Sequence, residues 1–145
     1  MLCAGAITGG TVKLLNVCAD NLTPVIDKLE EAGCKIEVCN KEILLQAPKR
    51  LKPIQIKTMP YPGFPTDLQP IFGGMVVVAK GTSIIVENIF ENRYKYMTEL
   101  QRMGAKITIE GKMAVIKGVR KLSGASVNSA DLRGGAALVL ARISS

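Results

Sequence analysis

Shifting the chain against itself by 71 residues superposes Gly10-Thr11 on Gly81-Thr82, Asn21 on Asn92, Leu29 on Leu100, Gly33 on Gly104 and Lys35-Ile36 on Lys106-Ile107. The period is structural, because the same order of local signals recurs in each copy. A strand over 12–17, and its counterpart over 83–89, leads into a helix that closes on Gly33 or Gly104, glycine being the residue best able to take a left-handed cap conformation. Leu22, Val25, Ile26 and Leu29 mark the apolar face of the first helix at three-and-four spacing, and Met97, Leu100 and Met103 mark the second. Strict alternation follows in Cys34/Ile36/Val38 and in Ala105/Ile107/Ile109, which predicts a strand with one buried face. Asn40-Lys41 and Gly111-Lys112 tolerate positive φ as a two-residue hairpin requires, and returning strands are expected over 43–47 and 114–119. Each unit therefore reads helix, strand, helix, strand, strand, over 1–47 and again over 67–119, with 48–66 as connector and proline-rich loop.

A third copy begins in 120–145. Asp131-Leu132-Arg133 and the apolar stretch after it repeat Asp67-Leu68-Gln69 and its apolar stretch, in each case an acidic N-cap expected to open an apolar helix. The chain stops after that helix, and Met1 aligns with Phe72, inside the corresponding helix of the second copy. The expectation is an internal segment of a larger protein.

At 145 residues, 48% hydrophobic and 21% charged, the chain has the composition of one globular domain. No run approaches the roughly 20 apolar residues that span a bilayer, and the first residues lack a signal-peptide pattern, so a cytoplasmic protein without membrane contact is expected. Cys3, Cys18, Cys34 and Cys39 show no CxxC spacing and there is no histidine, which removes the commonest zinc sites and every Ser-His or Cys-His dyad. No metal is expected, and the cysteines read as reduced thiols, Cys34 as a small core side chain. The formal charge of +7 points to anionic partners. Nucleic acid fits poorly: the positives are spread from Lys49, Arg50, Lys52 and Lys57 to Lys106, Lys112, Lys117, Arg120 and Lys121, and only 4% of residues are aromatic. A small anionic ligand, or a solvated face, explains them better.

The string Pro60-Tyr61-Pro62-Gly63-Phe64-Pro65-Thr66-Asp67, followed by Leu68-Gln69, forms an extended, turning loop of low entropy that delivers a carboxylate to the next helix start. It resembles, almost letter for letter, the proline-rich loop of the UDP-N-acetylglucosamine enolpyruvyl (1-carboxyvinyl) transferases. The resemblance extends through Ala6-Ile7-Thr8-Gly9-Gly10, Glu87-Asn88-Ile89-Phe90-Glu91-Asn92-Arg93, Met103-Gly104-Ala105, Lys121-Leu122-Ser123-Gly124-Ala125 and Asp131-Leu132-Arg133. It implies an α/β inside-out barrel built from β-α-β-α-β-β units, helices inside and sheets outside. This chain would supply about two units and the opening helix of a third from the C-terminal domain.

The implied chemistry moves the enolpyruvyl group of phosphoenolpyruvate to the 3-hydroxyl of UDP-N-acetylglucosamine with loss of phosphate. No metal or organic cofactor enters, and the cellular role would be the first committed step of peptidoglycan precursor synthesis, with its ties to cell shape and division. Such a reaction needs a base and fixed positive charge. By the resemblance Asp67 is the base, and Ile89 and Arg93 lie around the nucleotide sugar. Asp131 and Arg133 face phosphoenolpyruvate at a helix start, where the helix dipole adds to the arginine. Ala130 and Gly134-Gly135 depart from the family's usual threonine and Ala-Ser type pair. The family's N-terminal domain has no counterpart here, so the isolated chain is expected to be inactive. Two other readings stand beside this one: a shikimate 3-phosphate enolpyruvyl transferase, and a basic nucleic-acid-binding module on the same repeat.

Overall fold

The computed structural model describes residues 1–60, 63–89, 94–124, 126, 128 and 132–143, without the side chains of Ala19, Asn21, Leu132, Arg133 and Arg142. Helix α1 (Leu2–Thr8) leads to β1 (Thr11–Leu14), then α2 (Thr23–Glu31), β2 (Lys35–Cys39) and β3 (Glu42–Gln46). After β4 (Gln55–Lys57) the same order returns in α3 (Gln69–Val76), β5 (Thr82–Val86), α4 (Lys95–Arg102), β6 (Lys106–Glu110) and β7 (Met113–Lys117). Helix α5 (Leu132–Ile143) closes the described chain.

The repeat survives at the level of single hydrogen bonds. In the first sheet, ordered β1-β3-β2, Thr11 and Lys35 both pair antiparallel with Gln46; in the second, Thr82 and Lys106 both pair with Lys117. Each partner is displaced by the same 71 residues. Both helix ends use one motif: Gly33 and Gly104 sit at φ 99° and 98°, and the amides of Cys34 and Ala105 donate to the carbonyls of Leu29 and Leu100 at 3.1 Å. Those bonds satisfy carbonyls that a helix end otherwise leaves open. Connectors match too, the amides of Lys52 and Ser123 donating to the carbonyls of Ala32 and Met103.

Helices α1, α3 and α5 pack on one another, α3 and α5 most extensively, with α4 against α5 and the sheets on the flanks. Phe72, Met75, Met97, Leu100, Ile116, Ala137 and Ala141 are fully buried in the core between them. Helices inside and sheets outside is the inside-out α/β arrangement that the family resemblance implies. No helix among the described residues is long and apolar enough to cross a membrane.

Three local expectations need correction. The connector 48–66 contains a strand: Ile54, Ile56 and Thr58 alternate inward, and β4 pairs parallel with β5, with the Ile54 amide donating to the buried Ser83 Oγ. Three residues between prolines offer too short a pattern to stand out. Strands β1 and β5 end earlier than expected, because Asn16 turns at φ 57° in one copy while the Asn88 amide leaves the ladder for Thr58 Oγ1 in the other. The alternation in β2 and β6 has the expected phase, but burial fades toward the hairpin tips: Cys34 and Ala105 are buried, whereas Val38 is 51% and Ile109 42% exposed. Both are outer strands, and solvent reaches their far ends.

Candidate active site

The proline-rich loop is held at both ends. The Met59 amide donates to the Phe64 carbonyl at 3.1 Å and the Gly63 amide to the Pro60 carbonyl at 2.9 Å. A Cβ on Gly63 would stand 2.6 Å from the Met59 Cβ, so the turn needs the bare backbone there. Phe64 is buried and meets Phe72 of α3 edge to face, ring centroids 5.0 Å apart. Such a contact is worth about 0.5–1.5 kcal/mol beyond area burial, and it pins the loop to the helix that follows.

Asp67 is exposed, on a single 3-10 turn (Thr66–Leu68) between loop and helix. The N-cap of α3 is Leu68, which makes no side-chain capping bond, so the expected acidic cap at Asp67 is displaced by one residue. The first turn winds tightly, the Leu68 amide donating to the Pro65 carbonyl at 3.2 Å, and this carries the carboxylate outward ahead of the helix proper.

Behind Asp67 lies a buried acid. Glu87, just past β5, is 3% exposed. Its Oε1 accepts from Thr66 Oγ1 at 2.7 Å and Gln69 Nε2 at 3.3 Å; its Oε2 accepts from Thr58 Oγ1 at 2.6 Å and the Ile89 amide at 3.0 Å. Stripping a carboxylate of water costs several kcal/mol, and four bonds to a charged acceptor, at about 1.5–3 kcal/mol each, are of the size needed to offset it. The network extends outward. Tyr96 of α4 donates to Gln69 Oε1, and the Asn88 side chain donates to the Thr58 carbonyl at 3.2 Å. No described buried side-chain polar atom lacks a partner. Nearby, the Tyr94 hydroxyl lies within hydrogen-bond distance of the Ile85 and Lys112 carbonyls. Burial, with the Glu87 charge adding, pushes that phenol up to about 12.

Of the five residues singled out from the sequence, the structure joins two: Asp67, between Thr66 and Gln69, and Ile89, half-buried with its amide on Glu87. Arg93 and Asp131 lie outside the described residues; Arg133 belongs to α5, but its side chain is not described. Glu87 itself was quoted only as part of a motif. Its signal was present: Ser83, Ile85 and Glu87 share the inward face, and an acid on a buried face has to be paired. A groove of about 990 Å³ runs between α2 and the β4–β5 edge and reaches the back of the loop at Gly63, Phe64, Pro65 and Leu68; neither Asp67 nor Ile89 lines it.

Residues 1–145 match the family model for EPSP synthase (3-phosphoshikimate 1-carboxyvinyltransferase). The chain is 50% identical over 141 residues to UDP-N-acetylglucosamine 1-carboxyvinyltransferase 2 of Caldanaerobacter subterraneus subsp. tengcongensis, covering 97% of this chain and 34% of that protein. It is 52% identical over 138 residues to UDP-N-acetylglucosamine 1-carboxyvinyltransferase of Desulfofundulus thermocisternus, covering 95% of this chain and 57% of the relative. The chain thus spans about a third of the first relative and little more than half of the second. Among solved structures, the enolpyruvyl transferase NikO from Streptomyces tendae superposes with a TM-score of 0.82 at 23% identity, over 99% of this chain and 34% of that one. EPSP synthase from Acinetobacter baumannii superposes at 0.68 and 16% identity, over 97% of this chain and 35% of that one. At those identities the structures speak for the fold alone.

Proposed function

The chain belongs to the EPSP synthase (3-phosphoshikimate 1-carboxyvinyltransferase) family, and from that premise we propose that it is the proline-loop segment of a UDP-N-acetylglucosamine 1-carboxyvinyltransferase. The observation that carries the reading is 50–52% identity, over nearly the whole chain, to relatives named for that substrate. In this reading the segment comprises units 1–47 and 67–119, a connector over 48–66 and a third unit opening in 120–145. The remainder of the enzyme supplies the other wall of the site, in the cytoplasm, where the peptidoglycan precursor would be made.

The oxygen of the sugar 3-hydroxyl bonds to C2 of phosphoenolpyruvate while a proton adds to C3, giving a tetrahedral intermediate. Loss of a C3 proton and cleavage of the C2–O bond to phosphate then leave the enol ether and inorganic phosphate. Asp67 takes the hydroxyl proton. Its place on a short turn braced by Phe64 and Thr66 suits a base that has to be still, since small misplacements are costly. Ile89 contacts the nucleotide sugar through its backbone, and Arg93, by the family resemblance, binds the same sugar nucleotide. Asp131 and Arg133, with the start of α5, seat the phosphoenolpyruvate anion. No cofactor takes part.

The test replaces the matching third of the Caldanaerobacter relative with residues 1–145. The hybrid is expected to release phosphate from phosphoenolpyruvate with UDP-N-acetylglucosamine but not with shikimate 3-phosphate. Asp67→Asn should lower kcat by about 10²–10⁴-fold. Turnover with shikimate 3-phosphate instead would transfer the chain to the other reading, and an Asp67→Asn hybrid of unchanged rate would remove Asp67 as the base.

A further inference from the structure

We infer that Glu87 is a positioning residue that holds Asp67 and Ile89 as one rigid unit, an inference that rests on the reading of Asp67 as the base. The carboxylate divides its two oxygens between two parts of the site. Oε1 takes Thr66 and Gln69, which bracket Asp67; Oε2 takes Thr58, at the end of β4, and the amide of Ile89. A shift of the loop relative to the strand ends therefore breaks bonds to the same side chain. Gln69 is locked in turn by Tyr96, so the orientation of the turn carrying Asp67 is set from α4 as well.

The repeat supplies the control that separates positioning from folding. In the first copy the residue equivalent to Glu87 is Asn16, exposed at φ 57°, and the equivalent of Tyr96 is the apolar Val25. That copy builds the same three-stranded register without a buried acid. An apolar side chain in place of a buried charge network is often neutral or stabilising. The three-stranded register thus does not require the carboxylate, and the second copy has it where the loop meets the strand ends.

The experiment is a double-mutant cycle in the hybrid enzyme, with Glu87→Gln, Asp67→Asn and the pair. Glutamine keeps the shape but turns one acceptor oxygen into a donor facing donors. With Asp67 present, Glu87→Gln should lower kcat roughly 10–100-fold while KM for phosphoenolpyruvate stays within about threefold. With Asp67→Asn already in place, it should cost less than about threefold more. Thr66→Val, which removes one donor to Oε1, should show the same dependence with a loss of about three- to tenfold, and it carries the test should Glu87→Gln not fold. Equal losses with and without Asp67, or no loss in kcat, overturn the inference. Full activity of Asp67→Asn alone instead overturns the base assignment, and this inference with it.

Discussion

A thiol or phenol buried in its neutral form holds its proton more tightly in the folded chain than in the unfolded one. Burial pushes Cys3 from 9.0 up to about 12 and Cys34 from 9.0 up to about 11; Tyr94 rises from 10.0 to about 12. All three folded-state values are raised, so their contribution to stability is complete below about pH 9 and is lost as pH climbs toward 12. Urea unfolding of the chain is expected to show a steady fall in midpoint from pH 9 to pH 11, and a midpoint that stays flat over that range would contradict the burial of these groups.

Helix packing depends on missing side chains. A Cβ on Gly74 would lie 2.5 Å from the Ala137 carbonyl of α5, and one on Gly73 would meet the Tyr96 ring. These glycines cost α3 some helix propensity, about 1 kcal/mol each relative to alanine, so tertiary contact and not local preference holds the helix. Gly74→Ala should destabilise the chain by about 1–3 kcal/mol despite that gain in propensity, because α5 has to move away. Chemical denaturation measures it; an unchanged or raised midpoint would mean that the two helices have slack between them. Gly63→Ala belongs to a different place, the loop, and leaves this helix contact untouched.

As a whole, the chain spans about a third of the Caldanaerobacter relative, and helix α5 follows β7 as the last described element. Val139 of α5 is 63% exposed and Ile143 about half exposed. In the proposed enzyme, phosphoenolpyruvate and the nucleotide sugar are enclosed between this chain and the remainder. The isolated 145 residues, given both substrates, are therefore expected to release no phosphate above background in a colorimetric assay. Substantial turnover would overturn the two-part site and point to a complete small enzyme.

Much of this molecule was legible in one sequence because its determinants are local. Glycine at a helix end, alternation after it and a two-residue turn recur at a fixed distance, and each is governed by backbone sterics or by the period of a single element. The proline string likewise predicted a turning loop ahead of a helix, which the turn Thr66–Leu68 and α3 follow. What the tertiary structure decided is of longer range: the strand β4, whose three residues are held by pairing with β5; the fading burial of β2 and β6; the close approach of α3 to α5; and the carboxylate of Glu87. Glu87 bonds Thr58, 29 residues before it, and Thr66, 21 residues before it. The sequence sets where an acid stands along the chain, but only folding brings its partners around it, because a buried charge is stable only with donors that the chain must fold to deliver.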